Sequence, residues 1–285
     1  MMLKPILAGT LKLDGGAMFG VVPKKIWSKL MPPDDQNLCT WSMRCLYIED
    51  DGKKILVDTG LGNKQDPKFL AHYEPAGDIL ISDALRKNGI SPDEITDVIL
   101  THLHFDHVGG AVSRTADHQL QLVFKNANHW VLEAQWLNAL QPNQREKASF
   151  LSENIRPLAE IIKFIDGTQN FKNIEFVRVD GHTEGMILPL IHLDQNKKIL
   201  YTADLFPSTH HVHLPFIMAY DMQPLVTLME KEKVLERVYD QNIALFFEHD
   251  VHNEVGIVNK SATGKFFVSN TMSVDEWLSK SDEII

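Results

Sequence analysis

The chain reads His102-Leu103-His104-Phe105-Asp106-His107-Val108-Gly109-Gly110 directly beyond an apolar run that is typical of a buried strand. Its three imidazoles and one carboxylate, within six positions, form a set of ligands for a metal ion. Such nitrogen and oxygen donors suit zinc, manganese, iron or cobalt. Because the motif holds no cysteine, and closed structural zinc sites usually contain thiolates, we expect a site that keeps one position open for water.

Three later segments, each apolar or alternating as in a β-strand, end in a further candidate ligand. These ligands are His182, Asp204 and His249. One ion takes only three or four protein ligands together with water, so the full set predicts two ions that share a carboxylate. The predicted metal ligands are His102, His104, Asp106, His107, His182, Asp204 and His249.

The pattern H-x-H-x-D-H, followed by Gly181-His182-Thr183, an aspartate at a strand end and a late histidine, resembles the metallo-β-lactamase superfamily. Within it, the chain is most similar to the branch of N-acyl-homoserine lactone lactonases and methyl parathion hydrolase. The motif Leu56-Val57-Asp58-Thr59-Gly60 belongs to the resemblance, because its aspartate usually orients the histidine loop from behind the ligands. Asp-Thr-Gly is also an ordinary turn sequence, and that alternative stays open. The resemblance implies an α/β fold, the αββα sandwich of two mixed β-sheets flanked by helices.

The resemblance also implies how the ligands are shared and what they do. The first ion is expected on His102, His104 and His182, the second on Asp106, His107 and His249, with Asp204 bridging both. Zinc is the expected metal, with manganese, iron and cobalt as alternatives. The expected enzyme is a dinuclear hydrolase, a quorum-quenching lactonase that opens N-acyl-homoserine lactones by attack of a metal-bridging hydroxide on the ring carbonyl. Asp106 and Asp204 are its candidate catalytic residues, since a carboxylate beside that hydroxide can pass the proton.

Length and patterning predict one domain. The 285 residues are 44% hydrophobic, which is enough for a sizeable core, and no linker, charge block or repeat divides them. One helix is expected after Asp78, with Ile81 and Leu85 in i, i+4 register, and it should end near Asn88-Gly89. A second helix is expected from Pro224 to Tyr239, and Ser91-Pro92-Asp93-Glu94 has the form of a capping box. We therefore expect a single metallo-β-lactamase-like domain over residues 1–285, with residues 1–40 as an N-terminal extension at the substrate pocket or a dimer contact.

Charge and targeting signals narrow the partners. The chain has 28 basic and 38 acidic residues, a net charge of −10, and no Lys/Arg cluster that could follow a phosphate backbone, so we expect no nucleic acid. Neither a signal segment nor a run of 18 uncharged apolar residues is present, which predicts a cytoplasmic protein without a membrane span. Cys39 and Cys45 are expected to be free thiols. The expected partner is a small lactone or ester, and the expected assembly is a homodimer.

Substrate specificity is expected to depend on two segments outside the ligand set. The first is an apolar segment near the N terminus, punctuated by glycine and proline, which we expect to build an acyl pocket or a subunit contact. Ordinary core packing is the alternative for each of its residues. The candidates in this segment are Met18, Phe19, Val22 and Trp27.

The second segment follows Asp204. Some lactonases carry a tyrosine there that hydrogen-bonds the lactone carbonyl, whereas this chain continues Phe206-Pro207. The candidates to replace that donor are His210, His211 and Tyr220, and a solvated loop is the alternative.

This departure keeps other activities open. The first alternative is an organophosphate (phosphotriester) or aryl ester hydrolase. A glyoxalase-II-like thioesterase shares the motifs, but basic residues near the C terminus would have to bind glutathione, and here these would be only Lys260 and Lys265. A flavodiiron oxidoreductase would need a carboxylate in place of His104.

Five other histidines are interpreted as structural, namely His72, His118, His129, His192 and His252.

Overall fold

The computed structural model of the protein describes residues 1–194 and 197–280. The chain divides into two compact units. The first unit comprises Met1–Leu11 and Ser42–Lys172, and the second comprises Lys12–Trp41 and Asn173–Ile285. The expected single domain includes residues 195–196 and 281–285, which lie outside the described residues, and it stays a prediction.

Strands and helices are mixed along the whole chain. The strands are β1 (Met2–Asp14), β2 (Leu38–Asp50), β3 (Lys53–Val57), β4 (Asp97–Ile99), β5 (Val112–Arg114), β6 (Leu120–Leu122), β7 (Asn128–Val131), β8 (Ile162–Phe164), β9 (Ile174–Val179), β10 (Met186–His192), β11 (Lys198–Tyr201), β12 (Ala244–Phe246), β13 (Val255–Lys260) and β14 (Phe266–Met272). The helices are α1 (Gly15–Phe19), α2 (Lys24–Trp27), α3 (Pro67–Tyr73), α4 (Ile81–Lys87), α5 (Phe105–Val108), α6 (Glu133–Leu140), α7 (Ser152–Ile155), α8 (Pro224–Asp240) and α9 (Val274–Ser279). Among the described residues, no helix is both long enough and apolar enough to pass through a lipid bilayer.

The first sheet has six strands in the order β1-β2-β3-β4-β7-β8. Strand β2 pairs antiparallel with β3, whereas β3, β4, β7 and β8 pair in parallel, so the sheet is mixed. Val57 is the register partner of Ile99. Since parallel neighbours end at the same edge, the segments after β3 and β4 emerge side by side, and these segments carry Asp58 and His102.

A second six-stranded sheet, in the order β14-β13-β12-β11-β10-β9, lies in the second unit. Strands β11 and β12 pair in parallel, and β9 and β11 both pair antiparallel with β10. Strands β9, β11 and β12 therefore run in one direction and end at one edge of the sheet. His182, Asp204 and His249 follow these three ends, so the sheet topology places predicted ligands that are far apart in sequence at one edge.

The predicted fold class is confirmed, because the chain forms two mixed sheets together with helices. The predicted helix from Pro224 is α8, and proline fits its first position because the N–H there has no helical partner. Both hydrogen bonds of the capping box at Ser91 and Glu94 are present, but the box encloses a single 3-10 turn instead of an α-helix.

Strand β1 is an element that the patterning did not predict. It occupies Met2–Asp14, within the segment expected to be an extension, and lies beside β2 in the first sheet. Its buried apolar residues do not alternate strictly, since they fall at Leu3, Ile6, Ala8 and Leu11. Alternation of apolar and polar residues is the main sequence signal of a half-buried strand. Because β1 does not alternate strictly, its sequence did not predict a strand.

Candidate metal centre

Four of the predicted ligands lie in the first unit, in the turn that follows β4. His102, His104, Asp106 and His107 are all buried. The ring centroid of His102 lies 4.5 Å from that of His104 and 3.9 Å from that of His107. Helix α5 begins directly after His104, so Asp106 and His107 fall on its single turn. Local chain geometry therefore gathers these four side chains into one cluster.

Two glycines let this turn approach the loop after β3. A Cβ atom on Gly109 would lie 2.1 Å from the carbonyl oxygen of Leu61, and one on Gly110 would lie 2.0 Å from that of Thr59. No larger residue fits at either position, because the obstacle is backbone and not a movable side chain. The glycines of the sequence motif thus hold the ligand turn against the segment that carries Asp58.

Asp58 organises the turn from its buried position behind the ligands. Its carboxylate accepts hydrogen bonds from the backbone N–H of Thr101 at 2.8 Å and from the Thr101 hydroxyl at 2.7 Å. Its Oδ2 also lies 3.2 Å from Nδ1 of His107. A carboxylate only accepts, so His107 donates from Nδ1 and keeps the lone pair of Nε2 for a metal.

The other three predicted ligands, His182, Asp204 and His249, form a buried cluster in the second unit. Asp204 places Oδ2 at 3.1 Å from Nε2 of His182 and Oδ1 at 3.0 Å from Nε2 of His249. Ala203, just before it, has a φ of 42°, a left-handed conformation that is costly for a residue with a Cβ. The strained turn therefore fixes a carboxylate between two imidazoles, with one oxygen toward each.

The electrostatics of this second cluster favour positive charge. Burial alone would lower the pKa of His182, but the charges of and hydrogen bonds to Asp204 and Asp221 outweigh it and raise that pKa to about 10. A bound cation satisfies the same carboxylates without a proton on the ring. The cluster thus has the electrostatic character of a cation site.

Two buried carboxylates that contact predicted ligands were not predicted from the sequence. Glu146 Oε1 lies 3.0 Å from Nε2 of His104, and Asp221 Oδ1 lies 2.8 Å from Nδ1 of His182. The partners are 42 and 39 residues apart, and neither carboxylate belongs to a recognisable motif. Only the folded chain brings each acid to its histidine.

The donors of the two clusters fit a divalent transition metal. The donors are imidazole nitrogens and carboxylate oxygens, and all of them are buried. In the first unit the ligand atoms of His102 and His104 lie within 4.8 Å of each other, and in the second unit so do those of His182 and Asp204. Second carboxylates behind the histidines are typical of metal sites, where they fix the ring and its tautomer. Fold and site together define a metal-binding α/β protein whose ligands stand at sheet edges.

The candidate pocket residues near the N terminus are packed inside the second unit. Phe19 stacks on Trp27 with ring centroids 5.4 Å apart and contacts Phe216 edge to face at 5.9 Å. Cys39 is buried in this cluster, and Cys45 is likewise a buried thiol, as expected. This packing agrees with the alternative of ordinary core packing, and a substrate role for these residues stays a prediction. Its members are Met18, Phe19, Val22, Trp27, Met31, Cys39, Trp41 and Met218.

The three residues proposed to replace a tyrosine donor have different environments. His211 is buried, with Nδ1 2.8 Å from the Ser208 hydroxyl and Nε2 2.9 Å from the Met18 carbonyl oxygen. His210 is only partly buried, and Tyr220 is exposed. His210 and Tyr220 therefore retain surface for a ligand, whereas both ring nitrogens of His211 face protein groups.

Comparison with known proteins identifies the family. The pattern of the Metallo-beta-lactamase superfamily matches residues 44–239, which is more than half of the chain, so the chain belongs to this superfamily. It is 26% identical over 247 residues to an N-acyl homoserine lactonase of Bacillus cereus, a match that covers 80% of this chain and 88% of that protein.

Solved structures agree with this assignment. A probable metal-dependent hydrolase from Staphylococcus aureus has a TM-score of 0.85 and 26% identity, over 95% of this chain and 98% of that one. AidC, a dizinc quorum-quenching lactonase solved with a product, has a TM-score of 0.77 and 22% identity over 95% of both chains, which shows the shared fold. The predicted superfamily is thus confirmed, and the expectation of a metal-dependent hydrolase is confirmed at the level of these relatives.

Proposed function

We propose that this protein is a metal-dependent lactonase that opens N-acyl-homoserine lactones at a centre of two divalent ions, zinc in the first place. Superfamily membership and the lactonase names of its relatives support the reaction class. The donor set supports zinc, with manganese, iron and cobalt as alternatives.

The observation that carries the proposal is the position of Asp204. Its two oxygens face two different histidines, at 3.1 Å and 3.0 Å, and this position between candidate ligands supports a carboxylate that would be shared by two ions. In the proposed assignment His102, His104 and His182 would hold one ion, Asp106, His107 and His249 would hold the other, and Asp204 would contribute to both. Asp58 keeps His107 oriented through its Nδ1.

Divalent ions held by these residues would lower the pKa of a bound water and withdraw charge from the carbonyl oxygen of the substrate. Ring opening adds the elements of water across the acyl C–O bond, so the carbonyl carbon gains the hydroxyl and the departing ring oxygen gains a proton. Asp106 and Asp204 are the chain's groups for moving that proton, because both are carboxylates within the ligand clusters. The same events hydrolyse a phosphotriester, which makes phosphotriester or aryl ester hydrolysis the alternative outcome.

The test is a substrate panel measured on protein whose zinc content has been quantified. The panel comprises short- and long-chain acyl-homoserine lactones, paraoxon, an aryl ester and S-lactoylglutathione, compared by kcat/KM. We expect two ions per chain and a preference for lactones of at least about 100-fold, which corresponds to about 2.7 kcal/mol of transition-state discrimination. A comparable preference for another compound of the panel would show that this compound, and not the lactone, is the substrate. It would not contradict the proposed metal centre.

Three further expectations accompany this proposal. They are a cytoplasmic location, a homodimer, and a role for residues 1–40 at the pocket or the dimer contact. Size-exclusion chromatography with light scattering tests the dimer.

A further inference from the structure

We propose that Glu146 is a positioning residue of the metal centre, whose carboxylate holds the His104 ring so that Nδ1, and not Nε2, is presented to the metal. The inference rests on the proposed function only in requiring that His104 is a metal ligand. It does not depend on the substrate.

The contact between Glu146 and His104 determines the tautomer. Glu146 is 1% exposed, and its Oε1 lies 3.0 Å from Nε2 of His104. A carboxylate can only accept, so the proton of a neutral imidazole resides on Nε2. The lone pair that can bind a cation is then on Nδ1.

The carboxylate of Glu146 is itself held in place from two directions. Its Oε2 accepts from Nδ2 of Asn138, on α6, at 3.1 Å and from Nδ2 of Asn143 at 3.3 Å. The side-chain oxygen of Asn143 in turn accepts from the backbone N–H groups of Arg145 and Glu146, at 2.9 Å and 3.0 Å. Both oxygens and the backbone of Glu146 are thus constrained, so the contact with His104 is a built feature of the first unit.

Comparison with His107 and His182 shows why this carboxylate matters. Those two histidines meet their carboxylates, Asp58 and Asp221, through Nδ1, which leaves Nε2 for the metal. His104 meets Glu146 through the opposite nitrogen. Without Glu146 the His104 ring loses the carboxylate that accepts from its Nε2 and favours the tautomer with the lone pair on Nδ1. We therefore expect metal retention to depend on Glu146 although this residue is not a ligand.

The experiment measures zinc affinity by competition with a fluorescent chelator, together with the tautomer of His104 by imidazole ¹⁵N NMR of the zinc-loaded protein. The variants are Glu146→Ala, Glu146→Gln and Asn143→Ala. Glu133→Gln is the control, because this acid is exposed on the same helix that carries Asn138. Loss of a partner behind a metal-binding histidine typically weakens metal binding about 10- to 100-fold.

We expect a loss in that range for Glu146→Ala, together with loss of the protected Nε2–H resonance of His104. Glu146→Gln keeps a hydrogen-bond acceptor without the charge, so we expect its zinc affinity to fall about tenfold. Asn143→Ala is also expected to lower the zinc affinity. The control is expected to match the wild type. If Glu146→Ala fails to fold, the isosteric Glu146→Gln variant provides the test: lowered zinc affinity supports the role of Glu146, and wild-type zinc affinity contradicts it.

Wild-type zinc affinity and an unchanged Nε2–H resonance in both Glu146 variants would overturn this role and leave the proposed function intact. A wild-type protein that binds no zinc would overturn both. Retention of the affinity contrast in a protein without lactonase activity would support Glu146 while the proposed substrate fails.

Discussion

His211 is predicted to make the protein acid-sensitive, because it is buried as a neutral imidazole. The Met18 carbonyl can only accept, so His211 donates from Nε2 and accepts the Ser208 hydroxyl proton at Nδ1. The ring also stacks on Phe19 with centroids 5.0 Å apart. Burial, with smaller contributions from the positive charges of Lys231 and His210, lowers the pKa of His211 to about 3. A second proton on the ring is therefore disfavoured in the folded state, because it would place a positive charge in a buried site.

The size of the effect follows from the difference between folded and unfolded pKa values. Above pH 6.5 both states are neutral and the full stability is present. Between pH 6.5 and pH 3 the unfolded chain binds a proton that the folded chain does not, so stability falls by about 1.4 kcal/mol per pH unit. At pH 5 the loss from His211 alone is about 2 kcal/mol. Because pH 5 lies well above the folded pKa, this figure depends almost entirely on the unfolded value.

The assay is urea unfolding of the zinc-saturated protein at pH 8 and pH 5, followed by circular dichroism. His211→Gln removes the titrating group, so its loss of unfolding free energy between the two pH values should be about 2 kcal/mol smaller than that of the wild type. Ser208→Ala is the matched control, since it removes one hydrogen bond but keeps the imidazole and hence the pH dependence. Equal losses in the wild type and His211→Gln would refute the reasoning.

Three other substitutions probe the site and its surroundings. Asp204→Asn removes the proposed bridging charge and should lower both zinc content, by metal analysis, and turnover; two retained ions at a near-normal rate would disprove the bridge. His210→Ala should change the ratio of kcat/KM values across the substrate panel with zinc retained, and identical ratios would make His210 an ordinary loop residue. Phe19→Ala should cost about 3–5 kcal/mol in urea unfolding, because it empties the centre of a buried aromatic cluster; a loss below about 1 kcal/mol would show that the cluster is not closely packed.

Several features of the fold were predictable because their signals are local. Helix α8 begins at a proline in the position where proline is tolerated, and the Ser91 capping box has its two polar residues three positions apart. The cluster around His102 is likewise local, since one turn and the first residues of α5 hold all four side chains. Strand β1 was missed because its burial pattern departs from strict alternation.

By itself, the sequence determined which residue types are available to a metal and which superfamily the chain belongs to, because a short motif encodes both. Tertiary structure alone placed Glu146 and Asp221 behind His104 and His182, and enclosed His211 between Ser208 and Met18. Except for the local Ser208–His211 pair, these contacts join residues that are 39 to 193 positions apart, so they depend on strand order, register and the course of loops. Neither the composition nor the spacing of residues contains this information. For that reason candidate ligands could be proposed from the sequence, whereas the carboxylates that contact them could not.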